Sequence, residues 1–278
     1  MQLSATAITP RVQRWLQKPK PAMMLHLFDQ VINLSDADGE IISVVQSKIK
    51  PGPFSLLIAE ERPFPTLIHP HATVAKTKTS LIIGPLEIVH RAAKLWHPIP
   101  DWQRLQERQA EWLWSLDEMQ TAINKRLDYL GAIGPANFAN LFQATIAELL
   151  AVKFETDPVA WQTAVAKLAG FGPGFTPAGD DFLVGFLFGL WATRPAAEAA
   201  KMAKVVVETA VPRTTQLSAA WLQAAGRGEA VEPWHELVNA LLTHADWQLP
   251  LQKILRTGTT SGVAAVMGFV TAVANAAR

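Results

Sequence analysis

The apolar period of this chain changes once, at Pro98-Ile99-Pro100, and that change limits the folds open to it. Before it, from Met23 to about His97, short runs rich in β-branched residues alternate with Gly and Pro breaks. Met23–Leu34 leads into Asp36-Ala37-Asp38-Gly39, a turn sequence in which Gly supplies a positive φ. Glu40–Gln46, Phe54–Ala59, Thr66–Ile68, Thr73–Thr77 and Ser80–Ile83 follow, broken by Pro51-Gly52-Pro53, Pro63 and Pro65. This spacing predicts a small antiparallel β-barrel or sandwich. Leu86–Trp96 fits a strand or a helix equally well. Beyond Pro100, Trp102, Leu105, Trp112, Leu116, Met119, Ile123 and Leu127 recur at helical spacing. They predict one long amphipathic helix over Asp101–Leu130, capped by Asp101. Further helices are expected at Ala136–Val152, Pro158–Ala169, Asp181–Thr193, Pro195–Ala210, Thr214–Gly226, Pro233–Thr243 and Gly262–Ala277. Strands first and helices afterwards is the pattern of an α+β protein. The expected organisation is a mostly β N-terminal domain, 1–100, and a helical domain, 101–278, that carries the glycine-rich loop described below.

Composition removes several classes of function. Lys plus Arg number 25 against 24 Asp plus Glu, which offers no basic field to a phosphate backbone. Nucleic acid is not an expected partner. There is no cysteine, so disulfides, thiolate metal sites and a thiol nucleophile are all excluded. The stretch MQLSATAITPRVQRWLQKPKP lacks the apolar core of a signal peptide. Phe182–Thr193 and Gly262–Ala277 are apolar but shorter than the ~20 residues that span a bilayer. They read as buried helices of a soluble core, and a cytoplasmic location with no membrane partner is expected.

The chemistry concentrates in Gly170–Asp181, Gly-Phe-Gly-Pro-Gly-Phe-Thr-Pro-Ala-Gly-Asp-Asp. Four glycines and two prolines in so short a run cannot form the interior of a helix or strand. They make a loop poor in side chains, whose backbone N–H groups can converge on an anion. The loop runs straight into an apolar helix, and a helix N-terminus adds donors and partial positive charge. Thr176 adds a hydroxyl. A tight turn capped by Asp180 accounts for one aspartate, but not for Asp180 and Asp181 together. The loop is neither a Walker loop nor a dinucleotide fingerprint.

Two further segments belong with it. Thr259–Phe269 aligns with Thr176–Phe186 at a constant offset, with Thr176/Thr259, Gly179/Gly262, Gly185/Gly268 and Phe186/Phe269 identical. Both are hydroxyl-and-glycine turns that lead into apolar helices, although chance similarity is common in a chain rich in Ala and Gly. Pro212–Ser218 places Arg213 before a helix capped by Thr214 or Thr215, where its fork could hold a carboxylate or phosphate. A solvated surface arginine is the plainer reading. His69-Pro70-His71 lacks a third metal partner, the ten tryptophans read as core anchors, and no serine nucleophile elbow is present.

Gly170–Asp181, with Arg213–Ser218 and Thr260-Ser261-Gly262 at these relative positions, resembles the AllH-like family. That family is named for a subunit of oxamate carbamoyltransferase, an enzyme of anaerobic allantoin breakdown. The resemblance implies carbamoyl transfer carried out with other subunits: oxalurate and phosphate giving oxamate and carbamoyl phosphate. Small anions of this kind suit an oxyanion cradle. The candidate catalytic residues are then Thr176, Asp180 and Asp181. The candidate substrate contacts are Gly172, Gly174, Gly179, Arg213, Thr214, Thr260, Ser261 and Gly262. Asp180 and Asp181 serve either as a base or as oxygen ligands to a divalent metal such as Mg. The chain departs from the family pattern where His often replaces Thr259 and Asp often replaces Ala264. A non-catalytic binding or scaffolding subunit is therefore the alternative to an enzyme subunit.

Overall fold

The computed structural model describes residues 1–131, 144–152 and 156–276, and the chain divides into two compact units. Met1–Pro98 forms the first, joined by Ala230–Glu232; Ile99–Glu229 and Pro233–Arg278 form the second.

The first unit is a β-barrel. Its strands are β1 (Gln2–Ile8), β2 (Ala22–Leu27), β3 (Val31–Asp36), β4 (Ile41–Gln46), β5 (Ser55–Ile58), β6 (Val74–Lys76), β7 (Ser80–Ile83), β8 (Leu86–Val89) and β9 (Lys94–Leu95). The order is β5-β4-β3-β2-β6-β7-β8-β1, closed by pairing of β5 with β1, while β9 adds to β1. The expected antiparallel barrel is thus mixed: β4–β5, β1–β8 and β1–β9 are parallel and the other pairings antiparallel. Parallel neighbours need a crossover, and Pro51-Gly52-Pro53 lies in the one between β4 and β5.

Alternation along each strand fills the barrel. Ile32 and Leu34, Ile42 and Val44, Leu56 and Ile58, Leu81 and Ile83, and Leu86 and Ile88 all belong to one buried cluster. Val12, Trp15 and Leu16 join that cluster from α1 (Pro10–Gln17). Thr9 caps α1 by accepting from the Val12 amide, and Pro10 occupies its first turn. The turn at 36–39 forms as expected: Gly39 has φ 77°, and Asp36 Oδ1 accepts from the amides of Asp38 and Glu40. The run Met23–Leu34 is instead two strands, β2 and β3. Thr66–Ile68 is no strand either: the 3-10 turn Phe64–Thr66, with Pro65 in its first turn, ends there and Leu67 caps it. Leu86–Trp96 resolves into β8 and β9.

In the second unit, α2 (Trp102–Glu107), α3 (Gln109–Trp112) and α4 (Leu116–Gly131) replace the single helix expected over Asp101–Leu130. Asp101 caps α2 as expected, accepting from the Arg104 amide. The expected helix Ala136–Val152 lies partly outside the described residues; 144–150 is helical. Then follow α5 (Pro158–Leu168), α6 (Ala178–Thr193), α7 (Ala196–Ala210), α8 (Gln216–Gly226), α9 (Glu232–Thr243), α10 (Gln248–Leu255) and α11 (Ser261–Ala276). None of the described helices is long and apolar enough to cross a membrane.

Helices α6 and α11 form the centre of this unit, and glycine sets their separation. A Cβ at Gly185 would lie 1.7 Å from the Ala265 carbonyl oxygen, and one at Gly268 would lie 1.9 Å from that of Phe182. No side chain fits there, so the two backbones touch. The contacts are reciprocal: the offset that relates Gly185 to Gly268 also relates Phe182 to Ala265. Gly189, further along α6, meets Phe269 and Ala272, further along α11. The helices therefore run parallel, related by a local two-fold axis, as in an isologous interface.

Candidate functional site

The parallel pairing brings the first turns of α6 and α11 together, and there the Gly-rich loop meets the Thr-Ser-Gly turn. Thr176 Oγ1 lies 3.4 Å from Ser261 Oγ, and the Ser261 hydroxyl also bonds the Asp181 carboxylate. Pro177 precedes the first turn of α6, with Asp180 and Asp181 inside that turn. Asp180 is therefore not a helix cap, and Pro177 caps with no side-chain bond.

Asp180 ties three segments to one another. Its Oδ1 accepts from the Gly170 amide at 2.8 Å, and its Oδ2 accepts from the Thr214 hydroxyl. Ser218 bonds the same carboxylate. Burial raises its pKa, and the bonds from Thr214, Gly170 and Ser218 oppose that rise. Thr215, rather than Thr214, caps α8. Its hydroxyl also donates to the Phe175 carbonyl at 2.6 Å, holding the loop tip. Sequence reasoning missed Ser218 and Thr215 as members of this network, although both lie within the Pro212–Ser218 segment.

Asp181 is held differently. Burial pushes its carboxyl up to about 7; the Ser261 bond opposes the rise and the neighbouring Asp180 adds to it. Its Oδ2 is buried and has no hydrogen-bond partner. A carboxyl near half-protonation at neutral pH, with one oxygen unengaged, has the properties of a general acid or base.

The loop that precedes it carries free donors. Gly170, Gly172 and Gly174 have φ of 71°, 112° and 99°, conformations that L side chains rarely adopt. The Gly170 and Phe171 amides bond within the chain, to Asp180 and to the Leu168 carbonyl. Among the described residues, the amides of Gly172, Gly174, Thr176 and Ala178 have no acceptor.

Other expected contacts are placed otherwise. Gly179 donates its N–H to the Phe171 carbonyl, and a Cβ there would lie 2.0 Å from the Leu168 oxygen. Gly262 donates to the Thr257 carbonyl and abuts the Ile254 oxygen at 1.9 Å. Both glycines permit helix packing, and their N–H groups are occupied. The backbone carbonyl of Arg213 faces Gly170, while its guanidinium is bonded to the Thr209 carbonyl at 2.5 Å on an exposed surface. Thr260 is exposed, at the start of α11. Among the described residues no group of three or more His, Cys, Asp or Glu is placed to hold a metal. With Asp180 fully bonded, Asp181 is the single open carboxylate, so these residues do not build a metal site by themselves. Cavities of about 570, 940, 290 and 520 Å³ lie on other surfaces. The site is defined by its loop and two helix starts.

Two comparisons bear on this arrangement. Residues 168–273, which contain the whole site, match the family described as oxamate carbamoyltransferase subunit AllH. Residues 5–95, the barrel, match the AllH family N-terminal domain. No curated protein and no solved structure gives a match.

Proposed function

The chain belongs to the AllH family, and from that premise we propose that it is a carbamoyltransferase subunit whose own site acts on a small anion. The observation that carries this reading is a buried carboxyl at Asp181, raised to about 7 with one oxygen unengaged, at the end of a loop whose Gly172, Gly174 and Thr176 amides have no acceptor. One group moves a proton and the other accepts negative charge.

The reaction implied by the family is phosphorolysis of oxalurate. A phosphate oxygen attacks the carbamoyl carbon, and the amides of Gly172, Gly174 and Thr176 stabilise the oxyanion that forms. The C–N bond to the oxamate nitrogen then breaks, and protonated Asp181 delivers its proton to that nitrogen. The new carbamoyl phosphate carries the proton brought in by hydrogen phosphate and returns one to Asp181. Atoms and charge balance, and the carboxyl is restored. In this reading Asp180 positions the loop, and Thr176 with Ser261 orients Asp181. The barrel and the exposed faces of the helical unit are available to the other subunits that the family name implies.

Phosphate-dependent breakdown of oxalurate by the purified chain, alone and with its partner subunits, tests the proposal. The expected result is activity in the assembly that is lost in Asp181→Asn while the subunits still co-purify. Full activity of an assembly containing Asp181→Asn would assign catalysis to another chain and leave this one a binding or scaffolding subunit.

A further inference from the structure

The barrel unit carries a second feature, remote in sequence from the loop and independent of the carbamoyl-transfer reading. A groove of about 940 Å³ runs between the end of α1, the segment Lys18–Ala22, strand β6 with its following turn, and the link from β8 to β9. Lys18, Lys20, Lys76, Lys78, His90 and Arg91 line it, and no Asp or Glu does.

Two of these cations are already compensated. Lys18 pairs with Glu40 at 2.5 Å, and Lys20 pairs with Asp38. Lys76, Lys78 and Arg91 have no carboxylate within ion-pair distance among the described residues. The Lys76 ammonium is held 4.1 Å over the Trp15 ring and 3.2 Å from the Trp15 carbonyl oxygen. Burial is the main cause that lowers its pKa; Lys18 and Lys20 add to the lowering, and Asp36 and Glu40 oppose it. His90 bonds the Thr77 backbone, yet its Nε2 is buried with no partner. Three cations without an ion-pair partner line one groove, and a multiply charged anion can engage them together. An arginine fork and lysine point charges are the usual phosphate-binding pair. Leu16, Pro19, Pro21 and Val74 add an apolar wall, and the volume is at the upper end for small-ligand sites.

We propose that this groove binds an oligophosphate, a ligand with two or more linked phosphates, either a nucleotide or an inorganic chain. Isothermal titration of the full chain with inorganic triphosphate and, separately, with adenosine triphosphate tests this in ~0.1 M salt, where surface charges are screened beyond about 10 Å. Both should bind, and the double variant Lys78→Gln, Arg91→Gln should weaken each by about tenfold or more, roughly 1.4 kcal/mol. Both side chains are exposed, so the variant keeps the fold. Equal affinities assign recognition to the phosphates alone; tighter binding of the nucleotide adds the apolar wall. Asp181→Asn should change neither affinity. The proposal is overturned if wild type binds neither probe, or if the double variant binds as well as wild type. Loss of binding in Asp181→Asn would also overturn it, placing the anion at the loop. So would a poly-glutamate peptide that binds as tightly as triphosphate, which would make the groove a docking surface for an acidic protein.

Discussion

One methyl group distinguishes two kinds of glycine in this chain. Gly185→Ala drives a Cβ into the Ala265 carbonyl at 1.7 Å, with backbone on both sides and nothing that can rotate away. It should cost about 2–4 kcal/mol, read as a fall in the urea midpoint. Gly174→Ala meets no atom within 4 Å and strains only a backbone at φ 99°. It should cost about 1 kcal/mol in the same measurement. Sequence alone does not separate these cases, because a missing side chain looks the same whether a helix or a ligand fills the space. For that reason Gly179 and Gly262 read as ligand contacts, whereas close backbone packing is enough to account for them. Asp181 makes a pH-dependent prediction. Its carboxyl is raised to about 7 in the fold, so the unfolded chain releases that proton first. The penalty is absent below about pH 4, grows as pH rises, and is complete above about 7. Asp181→Asn should therefore be more stable than wild type at pH 8, on the order of 1–3 kcal/mol, and equal to it near pH 4. Urea titrations at the two pH values check the sign.

Among the elements, the ones legible in the sequence carry a strong period or a strong breaker. The helices from Pro158 to Ala276 fall close to their expected bounds because each starts or ends at a Gly, Pro or capping residue, except α10. Helix α10 went unread because Pro250 sits inside it, tolerated in the first turn. The expected helix over Asp101–Leu130 breaks although its apolar spacing is sound. Trp112 turns its indole back to the Leu105 carbonyl, and the Ser115 hydroxyl bonds the Trp112 carbonyl. Periodicity records which side chains are buried, and such local bonds leave it unchanged. β1 went unread because Leu3, Ala5 and Ala7 give only a faint alternation. The site loop was legible in composition, whereas its attachment to α8 through Asp180 was not, since that link is tertiary. Thr214→Val removes one bond of that link, leaving those of Ser218 and Gly170, and should cost ~1–3 kcal/mol. It should also speed amide exchange at Gly170 more than in α6, measured by hydrogen–deuterium exchange.

At the scale of the molecule, each unit is organised around one packing feature: glycine at the α6–α11 crossing, and α1 in the core of the barrel. Trp15 is wholly buried, and Trp15→Ala should cost about 3–5 kcal/mol, seen as a loss of barrel protection while the α6–α11 amides keep theirs. The position of β1 has a further consequence. It precedes in sequence every strand it pairs with, and its partners β5, β8 and β9 come tens of residues later. A chain made from its N-terminal end must hold this segment open until the last of them has appeared. Until β5 appears β1 is a strand with two vacant edges, and until β8 appears it keeps one, a form prone to pair with a neighbouring chain. Its polar, small-residue sequence, which made it hard to recognise, is what makes that wait safe.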